Sequence, residues 1–266
     1  MALALIHDES PFYDIKNVIL IFGAVPQEIT LLVDNLENGE QNHLWGIPYW
    51  KGQMYGKHVI ITITGIGKTF TGMTSTLFVK EFQPRLVLMT GTGARINPEL
   101  RTGDIIIATR TFEHDYGSLI STGEMIYRPM NSPDDGKEIT NDFKPNATIL
   151  QVAKLAIENY PSQHIIIDRD TSYQNVTRFG CVASSDLFGV PQARIDLLRD
   201  HFKIDIMEME SAPLGLVCQM FKIPYLIVRS GSNIAQEAPN DDYLRLSPIA
   251  AREAAKFLLH FVRTLE

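Results

Sequence analysis

Six short segments of the 266-residue chain gather side chains capable of chemistry, and each follows an apolar run or a strand-like stretch. They are Gly23–Glu28, Gly65–Lys68, Thr90–Ala94, Ser184–Gly189, Glu208–Glu210 and Arg229–Asn233, and they are rich in glycine, serine, threonine and carboxylates. Ligands of open α/β sheets collect beyond the carboxyl ends of the strands, which is where these segments fall. Glu28 stands at a strand-to-helix corner. A carboxylate there either deprotonates a bound water or is a solvated first-turn acid favoured by the helix dipole, and position alone leaves both readings open. Glu208-Met209-Glu210 closes an apolar run. If the extended geometry persists, its two carboxylates point to opposite faces, so only one of them serves a given ligand. Phe188 is of a type that packs in cores more often than against ligands. Thr92 and Gly93, as a bare glycine turn, signify close backbone passage.

The elements that must position these segments alternate along the chain. Val18–Phe22, Trp45–Tyr49, His58–Thr64, Leu86–Met89, Asp104–Ala108, His164–Ile167, Gly180–Ala183, Ile204–Met207 and Tyr225–Val228 read as strands. Helical spacing covers Pro26–Leu36, Ala147–Asn159 and Pro248–Leu265. A helix opened by Gly65–Lys68 and followed by Pro84 is read through about Phe82, and further helices near Pro191–His201 and Ser211–Phe221. Gly91-Thr92-Gly93 reads as the break after its strand. Residues 121–146 form an irregular excursion, because 131–136 gathers nearly every turn-forming type. Alternating strands and helices with short connections predict a single three-layer α/β/α domain over residues 17–266, with a mixed, largely parallel central sheet flanked by helices. Residues 1–16 read as an N-terminal extension.

Composition narrows the partners. The chain is 45% hydrophobic, which is enough for a large core. Its 24 lysines and arginines against 31 acids give a net charge of −7, with no basic cluster, which argues against a nucleic-acid partner. No run of about 18 apolar residues occurs to span a membrane. The N-terminus lacks the positive flank of an export signal, so a cytoplasmic location is expected. Cys181 and Cys218 lack metal-ligand spacing and read as reduced core residues.

Taken in order, GAVPQE, TGIGK, TGTGA, GDIII, SSDLF, MEMES and RSGSN resemble the nucleoside phosphorylase/nucleosidase superfamily, closest to the 5′-methylthioadenosine/S-adenosylhomocysteine nucleosidases. The resemblance runs from about Asn17 to the C-terminus. It implies homo-oligomeric enzymes, a homodimer or a dimer-based hexamer, that cleave the bond between ribose and a base without metal or organic cofactor. It implies that Glu28 holds the attacking water, and that Glu210 chelates the ribose 2′- and 3′-hydroxyls with Met209 packed beneath the sugar. Phe188 then lies against the purine, the Gly189 backbone at the base edge, and Thr92 and Gly93 beside the nucleoside. Glu208 and Ser232 belong to the same substrate-contacting set.

Two departures from the family pattern bear on the reaction. Phosphorylases of the superfamily place arginines in the first glycine loop and just before the Gly-Thr turn. Here the loop has none and the second position is Met89, so water is favoured over phosphate as the nucleophile. Nucleosidases place an aspartate after Arg-Ala-Ile-Ser to serve purine nitrogen 7, whereas this chain has Asn233. An amide donates a hydrogen bond but delivers no proton. Three expectations stay open: hydrolysis of 5′-methylthioadenosine-type nucleosides, action on 6-oxopurine nucleosides by hydrolysis or phosphorolysis, and a weakly active binding relative of the storage type.

Overall fold

The computed structural model describes residues 17–121, 124–133, 136–236 and 242–265; the expected 1–16 extension lies outside them. The chain opens with β1 (Ile19–Gly23), α1 (Pro26–Val33), β2 (Glu37–Leu44), β3 (Ile47–Met54), β4 (Lys57–Ile63), α2 (Lys68–Phe82), β5 (Leu86–Arg95) and β6 (Ile105–Glu113). Short strands follow: β7 (Gly117–Leu119), β8 (Met125–Tyr127), β9 (Met130–Asn131), β10 (Glu138–Ile139) and β11 (Asp142–Phe143). Then come α3 (Ala147–Glu158), β12 (His164–Ile166), β13 (Ser172–Gln174) and β14 (Thr177–Ser184). The last elements are α4 (Gln192–Asp200), β15 (Ile206–Glu208), α5 (Ser211–Met220), β16 (Tyr225–Ile234) and α6 (Asp242–Thr264).

β1 shows why the sequence folds in three layers. Its five residues are all buried, as expected of an interior strand covered on both faces. Side chains alternate across a strand. Ile19 and Ile21 therefore join the cluster with Ile29 and Leu32 of α1, Ile149 of α3 and Phe257 and Phe261 of α6. Leu20 and Phe22 join the opposite cluster with Phe78 of α2 and Leu214 of α5. Truncating a buried phenylalanine such as Phe22 removes about 3–5 kcal/mol of stability.

The sheet is mixed. β4, β1, β5 and β16 run parallel side by side, whereas β2 and β3 extend it antiparallel at one flank. At the other end β16 pairs with β6, β6 with β14, β14 with β15, and β15 returns to β5. These five strands form a closed ring, and the segments singled out for chemistry cluster at one end of it.

Several boundaries differ from expectation. β5 does not stop at Met89 but runs through Gly91-Thr92-Gly93 to Arg95, and β16 runs on to Ile234. The glycines are there for contact, not for a turn: a side chain at Gly91 would strike the Arg229 guanidinium and the Glu28 carboxylate, and one at Gly93 would strike Ile206 and the Met207 carbonyl. β2 carries no apolar run and so gives no strand signal in the sequence, because it is a largely exposed edge strand. α6 starts at Asp242 and takes Pro248 into its interior. The described parts of the excursion at 121–146 are tied down. β11 adds to the main sheet beside β6, and Tyr127 packs edge-on against Phe112 and Phe202.

Candidate active site

Glu28 reaches the site from the first turn of α1. It is buried, which sets aside the solvated-acid reading. Its Oε2 accepts the Ala24 backbone N–H at 2.7 Å, and its Oε1 accepts the Thr92 N–H at 2.8 Å and the Thr92 hydroxyl at 3.3 Å. Two backbone donors from β5 and the β1–α1 corner therefore fix the carboxylate before any ligand arrives.

Glu208 and Glu210 do not diverge as an extended strand would place them. β15 ends at Glu208, Glu210 becomes the residue that starts α5, and both carboxylates meet Arg229. Glu208 is fully engaged. It accepts from the Glu210 N–H at 2.9 Å, from the Ser211 N–H at 2.9 and 3.1 Å, from the Ser184 hydroxyl and from Arg229. It borders the cavity, but its acceptor capacity is spent on the start of α5 and on the guanidinium. Glu210 is freer. Gly67 donates its N–H to Oε1 at 3.0 Å, and Arg229 Nη2 lies 3.4 Å from Oε2. Burial and the neighbouring Glu208 charge push the Glu210 carboxyl up to about 8, against the pull of Arg229.

Arg229 has no solvent exposure. Its Nε donates to the Ser211 hydroxyl at 3.1 Å, and its Nη1, without a partner among the described residues, points toward the Gly91 backbone beside Glu28. Burial works against its charge, but Glu208, Glu210 and Glu28 hold it protonated.

Above this acidic floor lies a cavity of about 170 Å³, bordered by Glu28, Thr92, Phe188, Met209, Glu210, Asn233 and Tyr243 among others. Gly93 and Glu208 also line it, whereas Gly189 and Ser232 do not. Ser232 sits behind Asn233. Its hydroxyl is 3.0 Å from both the Gly93 carbonyl and Asn233 Oδ1, and Asn233 Nδ2 donates to the Ile234 carbonyl at 3.1 Å. The amide oxygen is thus turned toward Ser232, leaving an N–H of the amide as the group available to a ligand. Arg95 does not reach inward: it donates to the carbonyls of Ser232 and Leu100 at 3.1 and 2.8 Å, bracing the strand that carries Asn233. His114 is buried, and desolvation pushes it down to about 4, so it stays neutral. No described residue of the 121–146 excursion borders the cavity.

A family model described as the phosphorylase superfamily matches residues 18–263. The chain belongs to the phosphorylase superfamily. Similar members of that superfamily include the 5′-methylthioadenosine/S-adenosylhomocysteine nucleosidase of Psychromonas ingrahamii, 28% identical over 251 residues that cover 92% of this chain and 98% of the relative. Among solved structures, the futalosine hydrolase of Helicobacter pylori superimposes with a TM-score of 0.77 at 26% identity, covering 94% of this chain and 98% of that one. The 5′-methylthioadenosine/S-adenosylhomocysteine nucleosidase of Helicobacter pylori gives 0.76 at 26% identity, covering 94% and 99%.

Two residues of this phosphorylase-superfamily site were not assigned a role from the sequence. Arg229 carried a signal, an arginine continuing an apolar strand into a Ser-Gly-Ser turn. Tyr243 carried none, since it lies in a polar stretch ahead of the expected helix start. Its ring meets Phe188 edge-on at 5.6 Å and its hydroxyl contacts the Thr92 side chain. Burial, reinforced by the Glu28 charge, raises its phenol.

Proposed function

We propose that this chain hydrolyses the N-glycosidic bond of purine nucleosides of the 5′-methylthioadenosine/S-adenosylhomocysteine type. The observation that carries the reading is the charge balance of the cavity floor: three buried carboxylates, Glu28, Glu208 and Glu210, surround a single guanidinium, Arg229. A phosphate dianion would meet net negative charge there. A ribose gaining positive charge, and the water that attacks it, meet a favourable field.

In this reading water bound at Glu28 attacks the anomeric carbon as the bond to the purine nitrogen breaks. Glu28 takes the water's proton, and the bonding pair leaves with the base. Glu210 accepts from the ribose hydroxyls, a contact that strengthens as the sugar becomes cationic. Met209 supports the sugar, Phe188 and Tyr243 wall the base, and Thr92 and Gly93 bring backbone close beneath it. Gly189 and Ser232 act from outside the cavity wall, Ser232 by fixing the Asn233 amide. No metal or organic cofactor enters these steps.

A second reading of the substrate rests on Asn233. Its available N–H suits the 6-oxygen and nitrogen 7 of a 6-oxopurine, whereas an adenine leaving group would gain a hydrogen bond but no proton. One assay separates the readings. A panel of methylthioadenosine, adenosylhomocysteine, adenosine and inosine is incubated with and without phosphate, and free base is followed by chromatography. Phosphate-independent adenine release supports the first reading, and selective hypoxanthine release the second. Phosphate-dependent turnover overturns hydrolysis, and nucleoside binding without any base release marks a binding relative.

The same proposal includes a homo-oligomer in the cytoplasm. Ile66, just ahead of α2, and Phe70 and Met73, in its first turns, are exposed by 55, 58 and 47%, next to the cavity mouth that Ile66 borders. A second copy covering this stripe gives a dimer. Light scattering of the wild type and of a Phe70→Asp, Met73→Asp variant tests it: dimer and monomer respectively are expected, and a wild-type monomer with full activity overturns it. Among the described residues no helix is long and apolar enough to cross a membrane.

A further inference from the structure

α2 begins at Lys68 after Gly67, and no side chain from its own start caps it. Its first free N–H groups go elsewhere, to two different parts of the site. The Gly67 N–H is donated to Glu210 Oε1 at 3.0 Å, and the next one, from Lys68, to Asp186 Oδ1 at 2.8 Å. Gly67 has φ of +90°, and a side chain there would press against the Asp186 carboxylate, so only glycine serves both contacts.

Asp186 is held from its other side as well. Its N–H donates to Asp115 Oδ2 at 2.9 Å, and Asp115 Oδ1 accepts from the Lys68 ammonium at 2.6 Å. The same ammonium reaches Glu113 Oε1 at 2.5 Å. Exposed ion pairs contribute little, but here the side chains of Lys68, Glu113 and Asp115 are 19, 8 and 14% exposed and form one connected network. Leu187 and Phe188, which border the cavity, follow Asp186 directly in a loop without regular structure.

We infer that Asp186 and Lys68 are positioning residues that couple the aromatic wall of the cavity to the carboxylate proposed to grip the ribose, so that ordering one end of the ligand orders the other. The inference rests on the proposed nucleoside reading. Neither residue touches the substrate. The Asp186 carboxylate sets where Phe188 sits, and the backbone it holds, Gly67–Lys68, sets the orientation of Glu210. A nucleoside fills both ends at once, whereas a free base fills only the wall.

The test uses carbon-linked analogues of adenosine and inosine, which bind but cannot be hydrolysed, together with the free bases, titrated by calorimetry. The variants are Asp186→Ala, Asp186→Asn, Glu210→Gln and the double variant Asp186→Ala/Glu210→Gln, each with its melting temperature. Asp186→Ala is expected to weaken nucleoside-analogue binding about tenfold, and free-base binding less, at a melting temperature close to that of the wild type. Asp186→Asn keeps an acceptor for the Lys68 N–H and is expected to restore most of the loss. In the Glu210→Gln background the Asp186→Ala penalty on the nucleoside analogue should shrink. Fully additive penalties, or equal losses for base and nucleoside, overturn the coupling while leaving the nucleoside reading intact. Failure of the wild type to bind either analogue overturns the nucleoside reading and the coupling with it. Should Asp186→Ala melt early, Lys68→Met, which removes the ammonium but leaves the backbone N–H, gives the same comparison. It is expected to show a smaller loss of the same pattern, and no preference for the nucleoside analogue overturns the coupling.

Discussion

Arg229 and Glu210 meet at 3.4 Å with the guanidinium wholly out of contact with solvent and the carboxylate nearly so. The pair lies directly below the cavity, and Glu208 completes it from the start of α5. Removing one member of a buried pair leaves the others uncompensated, at a cost of about 3–5 kcal/mol. Arg229→Met should therefore lower unfolding stability by about that amount in urea titration at neutral pH. An Arg229→Met protein as stable as the wild type would show that Glu208 and Glu210 do not need the charge.

Glu210 itself makes stability depend on pH. Its carboxyl is raised from the ordinary carboxylate range to about 8, chiefly by burial. The folded protein then holds a proton that the unfolded chain has already released, and a raised carboxyl favours folding only while protonated. The contribution is complete below about pH 4.5, falls as pH rises toward about 8, and is absent above it. Glu210→Gln cannot ionise, so its melting temperature should fall less than the wild type's between about pH 5 and pH 8. Parallel curves for the two proteins would remove Glu210 as the source.

Glu28→Gln preserves shape and removes basicity. If Glu28 takes the proton of the attacking water, hydrolysis should drop by about two orders of magnitude or more while analogue binding persists. The amide keeps only one of the two acceptor oxygens that the Ala24 and Thr92 N–H groups engage, so persistent analogue binding is the control that the side chain has not moved. Retained turnover would reduce Glu28 to a buried anchor of β5.

Asn233→Asp places an acid where this chain has an amide. A protonated aspartate gives nitrogen 7 a proton, so release of adenine from methylthioadenosine should rise, toward the low end of the roughly 10²–10⁴-fold range of general acid catalysis. Inosine hydrolysis should fall or stay level, because an ionised carboxylate would face the 6-oxygen. The Ser232 hydroxyl, now bonded to Asn233 Oδ1, should remain a donor to the new carboxylate. Unchanged activity on both substrates would mean that residue 233 does not meet the base.

The layers were legible because β1 and the early part of β5 are continuous apolar runs, and because α1 and α3 carry regular apolar spacing. Glu28, Thr92, Glu210 and Asn233 were legible for a different reason: each comes within a few residues after an apolar run in the sequence. What local patterns could not convey was where strands stop when glycines serve packing. Gly91 and Gly93 look like turn residues, but both lie inside β5, against Arg229 and β15. The convergence of Glu208 and Glu210 was hidden for the same kind of reason, since it depends on α5 starting immediately after β15. Tyr243 is brought to Phe188 by the packing of α6 alone, and no local spacing encodes that.

The closed ring of β5, β16, β6, β14 and β15 has no free edge among these strands, so no single strand of it can peel away. Loosening any one hydrogen-bond ladder strains the other four. The acidic floor should therefore open only with the whole protein, and its amides in β5 and β16 should be among the last to exchange with deuterated water. Any motion that admits a ligand is then left to the upper rim, where Phe188 and Tyr243 meet. The molecule divides its labour between a rigid hearth, where charge is fixed, and a yielding mantle that opens and shuts above it.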